Sequence, residues 1–155
     1  MVIFSSFAVF QAQAAAQSQA PTKVLIKNVS IFDGKNEKLA SGMSVLVEGN
    51  KIAKIAKSIS APAGATVIDA KGRVLMPGLT DAHWHAMMAN LPLAVTLSSD
   101  VGYINLAAAV GARETLMRGF TTVRDVAGPS FSLKRAIDEG LVVGPRIYPS
   151  GAMLS

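Results

Sequence analysis

From Thr22 to Met76, apolar and polar positions alternate over short stretches that break at turn residues. "KVLIKNVSIFDG" is rich in β-branched residues and ends at Asp33-Gly34, a strong turn signal. "SVLVEGNKIAKIA" predicts two strands around Gly49-Asn50, a pair that can supply the positive φ values of a two-residue hairpin. "ATVIDAKGRVLM" repeats the pattern with Gly72 in the turn, and Pro and Gly at 61–64 mark a loop between strands. Residues 22–76 therefore predict a small antiparallel sheet. Asn28-Val29-Ser30 matches a glycosylation acceptor pattern, but it lies inside a predicted strand and carries no functional weight.

At Pro77-Gly78 the period changes, and strand-like and helix-like segments alternate from there on. "GLTDAHWH" predicts a strand. A helix is predicted from about Ile104 to Arg118, with Ile104, Ala108, Val110, Ala112, Leu116 and Met117 as its apolar face, Gly111 as a weak point and Gly119 as its stop. "FTTVRDV" predicts the second strand. Ser130 is placed to cap a helix running to about Glu139, between Pro129 and Gly140, and "PRIYPSG" predicts a third strand. Strand-helix-strand-helix-strand implies a parallel α/β layer with right-handed crossovers. A complete eight-stranded barrel takes about 250 residues, and only 78 follow Pro77. The pattern is that of the front part of a longer protein.

The first twenty residues stand apart. "MVIFSSFAVF" is apolar and "QAQAAAQSQA" is small and polar, the order of a secretory signal peptide and its cleavage region, although a basic n-region is missing. The run is too short for a membrane-spanning helix, which needs about 20 apolar residues. The expected organisation is thus a signal peptide and leader at 1–20, a β-domain at 21–77 and a βαβαβ portion at 78–155, in a protein exported to the periplasm or the extracellular space. An N-terminal strand or core segment is the competing reading of the leader.

Composition narrows the chemistry. The 155 residues include no cysteine, which excludes disulfides, thiolate ligands and a cysteine nucleophile. The net charge of +5 comes from scattered lysines and arginines, without a like-charge run or interleaved aromatics, so nucleic acid is not an expected partner.

The chain has two histidines, His83 and His85, both at the end of the first strand of the α/β series. Strand side chains alternate, so Asp81, His83 and His85 should point one way, with Ala82 and Trp84 pointing the other. Two neighbouring imidazoles on one face suit a zinc ion, or iron, nickel or copper. Catalytic zinc usually takes three protein ligands plus water, so further ligands must come from elsewhere. Asp81, one pleat below, is expected to orient an imidazole by accepting its second N–H. Trp84 should pack toward the helices, and Met87 and Met88 fall in the following loop. The bland alternative is a pair of structural histidines in a polar core or on an edge.

"VLMPGLTDAHWH", following a β-rich segment, resembles the first barrel strand and His-x-His metal motif of the amidohydrolase superfamily. "GFTTVRDVAGPSFSLKRAIDEGLVVGPRIYPSGAMLS" is similar to the imidazolonepropionase-like and Xaa-Pro dipeptidase-like branch, so the resemblance spans roughly residues 22–155. It implies an α/β fold, the start of a (β/α)8 TIM-type barrel preceded by a small β-sandwich domain and incomplete in this chain. It further implies that His83 and His85 bind the more buried of one or two divalent ions, zinc first among them. The implied activity is metal-activated water attacking the carbon-nitrogen bond of an amide, cyclic amide or dipeptide. The implied partner is a small molecule or short peptide, with no stable membrane insertion and with scope for a homo-oligomer.

In that family a lysine or glutamate, two more histidines and an aspartate complete the site from later strands. No histidine follows His85, Lys134 lies in a predicted helix, and Asp125 ends the second strand, so none of those roles transfers. No catalytic residue is therefore assigned, and this stretch alone is expected to be inactive. The non-enzymatic alternative is a stand-alone, shortened metal-binding or interaction domain.

Overall fold

Five strands and their turns make up the first part of the chain in a computed structural model that describes residues 21–152. The leader assigned to residues 1–20 lies outside the described residues. The strands are β1 (Lys23–Ile31), β2 (Ala40–Glu48), β3 (Lys51–Ala56), β4 (Thr66–Asp69) and β5 (Val74–Leu75). The sheet runs β3-β2-β1-β4, with β5 also paired to β1. β2 and β3 form the hairpin, closed by Gly49-Asn50 between the partners Glu48 and Lys51. Gly49 alone takes the positive φ, 58°, as a turn with glycine in its first central position requires.

The expected all-antiparallel sheet is corrected in its second half. Residues 66–75 form no hairpin; β4 and β5 both run parallel to β1, Thr66 opposite Val24 and Val74 opposite Ser30. The turn around Gly72 is a jog within one parallel run, where Ala70 N donates to Lys27 O and Gly72 N to Asn28 O. The cause lies in β1, whose register against β2 shifts between Ile26 and Val29. Asn28, at φ 53°, is the extra residue of this bulge. It moves the side-chain phase by one, so Val29 and Ile31 join Ile26 in a core with Val45, Ala70, Met43, Val47 and Leu75.

Asp69 holds this irregularity. Its Oδ1 accepts the Asn28 side-chain amide at 3.0 Å and the Lys71 backbone N–H at 2.9 Å. Asn28 and Lys71 are the two non-glycine residues at positive φ among the described residues. The Lys71 N–H first, and then the Asn28 amide, hold the Asp69 carboxyl below its ordinary value. A depressed carboxyl stabilises the fold above its unfolded pKa of about 4, and that contribution is lost as the pH falls through the lower folded value. Asp69→Asn is therefore expected to lose less stability than the wild type between about pH 6 and about pH 3 in urea titrations. Equal losses in the two proteins would remove Asp69 from the acid response.

The chain divides into two units, Met1–Leu75 and Met76–Ser155. The second contains β6 (Leu79–Trp84), α1 (Leu93–Ser98), α2 (Val101–Met117), β7 (Phe120–Asp125), α3 (Phe131–Asp138) and β8 (Arg146–Pro149). β6, β7 and β8 form a parallel sheet in that order. The short α1 has no counterpart in the expectations above. α2 starts three residues early because Asp100 caps it, its Oδ1 accepting from the backbone N of Gly102 at 2.7 Å and of Tyr103 at 3.3 Å.

The buried face of α2 also differs from expectation. Ala108, Gly111, Ala112 and Thr115 point inward, while Val110 and Met117 are 56% and 70% exposed. Spacing explains it. A Cβ on Gly111 would stand 3.0 Å from Asn90 Cγ, and one on Gly144 would stand 3.0 Å from Ala112 Cβ. The helix lies too close to its neighbours for a bulky inner face, so Gly111 is an asset rather than a weak point. The core of this unit joins Trp84, Ala86, Met87, Ala108, Ala112, Val123, Leu133 and Ile147. Ser130 stands at the start of α3, but its hydroxyl makes no cap; it donates to Asp125 Oδ2 instead. Among the described residues, no helix is long and apolar enough to cross a membrane.

Candidate metal centre

β6 carries the candidate ligands to its C-terminal end. His83 is the last residue but one of the strand, and His85 is the first residue beyond it. Trp84, between them, is 7% exposed and belongs to the core of the unit. The rings of His83 and His85 meet edge to face, their centroids 5.1 Å apart with an interplanar angle of 72°. Zn–N bonds of about 2.0–2.1 Å at a tetrahedral angle place two ring centres about 5 Å apart, a separation that the two rings match. His85 Nδ1 is buried and has no hydrogen-bond partner among the described residues. An imidazole nitrogen in that state lacks the polar contact that burial normally demands, and a metal ion or a proton acceptor would supply it. On this count the two histidines fit as part of a metal site.

They do not complete one. Among the described residues, no group of three or more histidine, aspartate or glutamate side chains is arranged to hold a metal. Asp81 does not take the role expected of it. Its Oδ1 accepts the backbone N–H of His83 at 3.0 Å rather than an imidazole N–H. The ladder between β6 and β7 is interrupted between Asp81 and Trp84, which leaves the His83 amide to find a side-chain acceptor, and the nearest carboxylate along the strand provides it.

A cavity of about 440 Å³ opens beside the pair, lined by Asp81, His83, His85, Met88, Thr115 and Arg118 among others. The Arg118 guanidinium donates to Thr115 Oγ1 at 3.2 Å and adds a cation to the cavity wall. Of the two loop methionines, Met87 is in the core and Met88 faces the cavity.

The loop after His85 is tied at two points that the sequence did not reveal. Ala86 N donates to Asp125 Oδ1 at 3.0 Å, and Asn90 Nδ2 donates to Glu114 Oε2 at 3.0 Å. Asp125 is 0% exposed. One signal pointed to it: a carboxylate at the C-terminal end of a strand in an α/β series, the end at which such folds gather function.

The second unit is thus a parallel α/β layer that presents two neighbouring histidines at the end of its first strand. Residues 74–155 match the amidohydrolase family, and the chain belongs to that family. A 5-methylthioadenosine/S-adenosylhomocysteine deaminase of Thermococcus onnurineus (strain NA1) is 33% identical over 147 residues, covering 84% of this chain and 34% of that protein. Among solved structures, an amidohydrolase superposes with a TM-score of 0.74 at 36% identity, covering 86% of this chain and 32% of the other. A prolidase complexed with N-methylphosphonate-L-proline superposes with a TM-score of 0.74 at 32% identity, covering 86% and 33%. The chain thus spans about a third of the length of these proteins.

Proposed function

We propose that this chain carries the first part of the active site of a metal-dependent hydrolase that cleaves carbon-nitrogen bonds in amides, cyclic amides or dipeptides. The observation that carries this reading is the His83–His85 pair, 5.1 Å between rings, with a buried, unpartnered Nδ1 on His85. A deaminase and a prolidase among the similar proteins support the choice of bond. The three parallel strands β6, β7 and β8 are the opening of a (β/α)8 barrel, whose functional residues gather at the C-terminal strand ends.

His83 and His85 hold a divalent ion in this proposal, and zinc is the ion that two imidazoles and a carboxylate-bearing family site favour. Bound zinc supplies an acidified water and polarises the substrate carbonyl. The chain's own residues do the positioning. Trp84 anchors the end of the strand in the core of the unit and also lines the cavity that His83 and His85 face. Asp81 fixes the His83 peptide. The cavity beside them accommodates a small molecule or short peptide. A catalytic site of this kind needs a third ligand and a general base besides the two histidines, and among the described residues no further group is arranged to supply the ligand, so this stretch alone is expected to be inactive. Residues 1–20 direct export.

The test is metal binding by the purified 155-residue chain after equilibration with zinc. His83→Ala and His85→Ala are each expected to weaken zinc binding in a chelator competition by more than the about 10- to 100-fold that losing an outer hydrogen-bond partner of a ligand costs. Unchanged zinc content in both variants would sink the ligand assignment. Robust zinc-dependent hydrolysis of dipeptides by the chain alone would overturn its assignment as an inactive part.

A further inference from the structure

Asp125 is a buried carboxylate with no ion-pair partner among the described residues. It closes β7 at 0% exposure, and its hydrogen-bond partners are a backbone amide and a hydroxyl. Burying a carboxylate is costly unless its lone pairs are satisfied in good geometry. Here the two oxygens are divided. Oδ1 accepts the Ala86 N–H at 3.0 Å, and Oδ2 accepts the hydroxyl of Ser130, itself fully buried. The backbone around it is laced on both sides: Val126 N donates to Trp84 O at 3.0 Å, and Ser150 N donates to Asp125 O at 2.9 Å.

The position of Ala86 gives this arrangement a purpose. Ala86 is fully buried, so its N–H needs a partner inside the protein. That N–H belongs to the peptide joining His85 to Ala86, whose orientation sets the backbone from which the His85 ring projects. A carboxylate that fixes this peptide fixes the backbone from which the His85 Cα–Cβ bond departs, and Ser130 fixes the carboxylate in turn.

We propose that Asp125 is a positioning residue that aims the His85 imidazole at its metal ion, with Ser130 as its support; the proposal rests on the reading of His85 as a ligand. Partners of this kind typically contribute 10- to 100-fold to metal affinity. The probe is Co²⁺ bound by the 155-residue chain, followed by its visible absorption and by chelator competition. Asp125→Ala is expected to weaken Co²⁺ binding by about 10- to 100-fold and to change the absorption band. Asp125→Asn keeps an oxygen for the Ala86 N–H and is expected to retain near-native affinity and spectrum. Ser130→Ala is expected to show a smaller loss with the same spectral change.

A role confined to stability would lower the unfolding midpoint in these variants without moving cobalt affinity or the band, and that result would overturn the proposal. Should Asp125→Ala fail to fold, the contrast between Ser130→Ala and Asp125→Asn decides, and identical wild-type spectra in both would overturn it. The two readings fail differently. A wild type that binds no cobalt removes the metal site and this role together. Binding lost in His85→Ala but untouched in the Asp125 and Ser130 variants removes the positioning role alone.

Discussion

Trp84→Ala is expected to cost the second unit about 3–5 kcal/mol, the range for deleting a large aromatic side chain from a packed core. Trp84 is among the largest members of a cluster whose α2 contribution is Ala108 and Ala112. Small side chains cannot reach across the space that an indole leaves, so the cavity stays open and the loss falls at the upper end of the range. The chain contains a single tryptophan, so fluorescence disappears with the substitution and the unfolding must be followed by far-UV circular dichroism. Trp84→Phe retains a ring and is expected to lose less than half as much. A loss for Trp84→Ala below about 1 kcal/mol would place the indole outside the core. Because Trp84 sits between His83 and His85, the alanine variant should also blur the alignment of both imidazoles. Its zinc affinity is expected to fall even in the fraction that remains folded.

Gly78→Ala is expected to cost about 3 kcal/mol, the upper end for overpacking a site that cannot yield. A Cβ at Gly78 would lie 2.6 Å from Thr121 Cβ and closer still to its Oγ1 and Cγ2. Thr121 sits on β7, and the start of β6 is locked against the same strand: Leu79 pairs with Phe120, and Leu79 N donates to Gly119 O at 2.8 Å. Neither backbone can retreat without breaking the ladder. Thr121 Cβ is itself part of the clash, so Thr121→Ser brings no relief, whereas Thr121→Gly is expected to restore most of the loss. A double-mutant cycle with urea titrations reads this coupling directly. Additive losses in Gly78→Ala and Thr121→Gly would contradict the packing described.

What the sequence revealed follows the range of each interaction. The hairpin of β2 and β3 was legible because its signal, Gly49 between two β-branched runs, is local. The parallel pairing of residues 66–75 with β1 was not, because nothing in "ATVIDAKGRVLM" names a partner some forty residues upstream. α2 was found, yet its inner and outer faces were read from bulk hydrophobicity, while close packing selected the small residues instead. In the candidate centre, His83 and His85 were visible because the chain has no other histidines. The supports of their loop were not visible. Asp125 lies 39 positions from Ala86, and Glu114 lies 24 from Asn90. Asp81 was given an imidazole partner on face alternation alone, which could not anticipate the free amide of His83 beside it.

The place of β1 in its sheet also sets an order of events during folding. β2 and β3 can close across two residues, a step that takes about 1–10 μs in isolated hairpins. β1 can then join β2 across a modest loop. The last seam, Thr66–Asp69 and Val74–Leu75 against β1, needs nearly the whole first unit to be in place before it gains anything. Loop-closure entropy has to be overcome before such a distant parallel pairing contributes stability. The rate at which this unit matures is therefore governed by its most distant strand pairing, and a newly made chain exposes one bare edge of β1 until residue 75 has been synthesised.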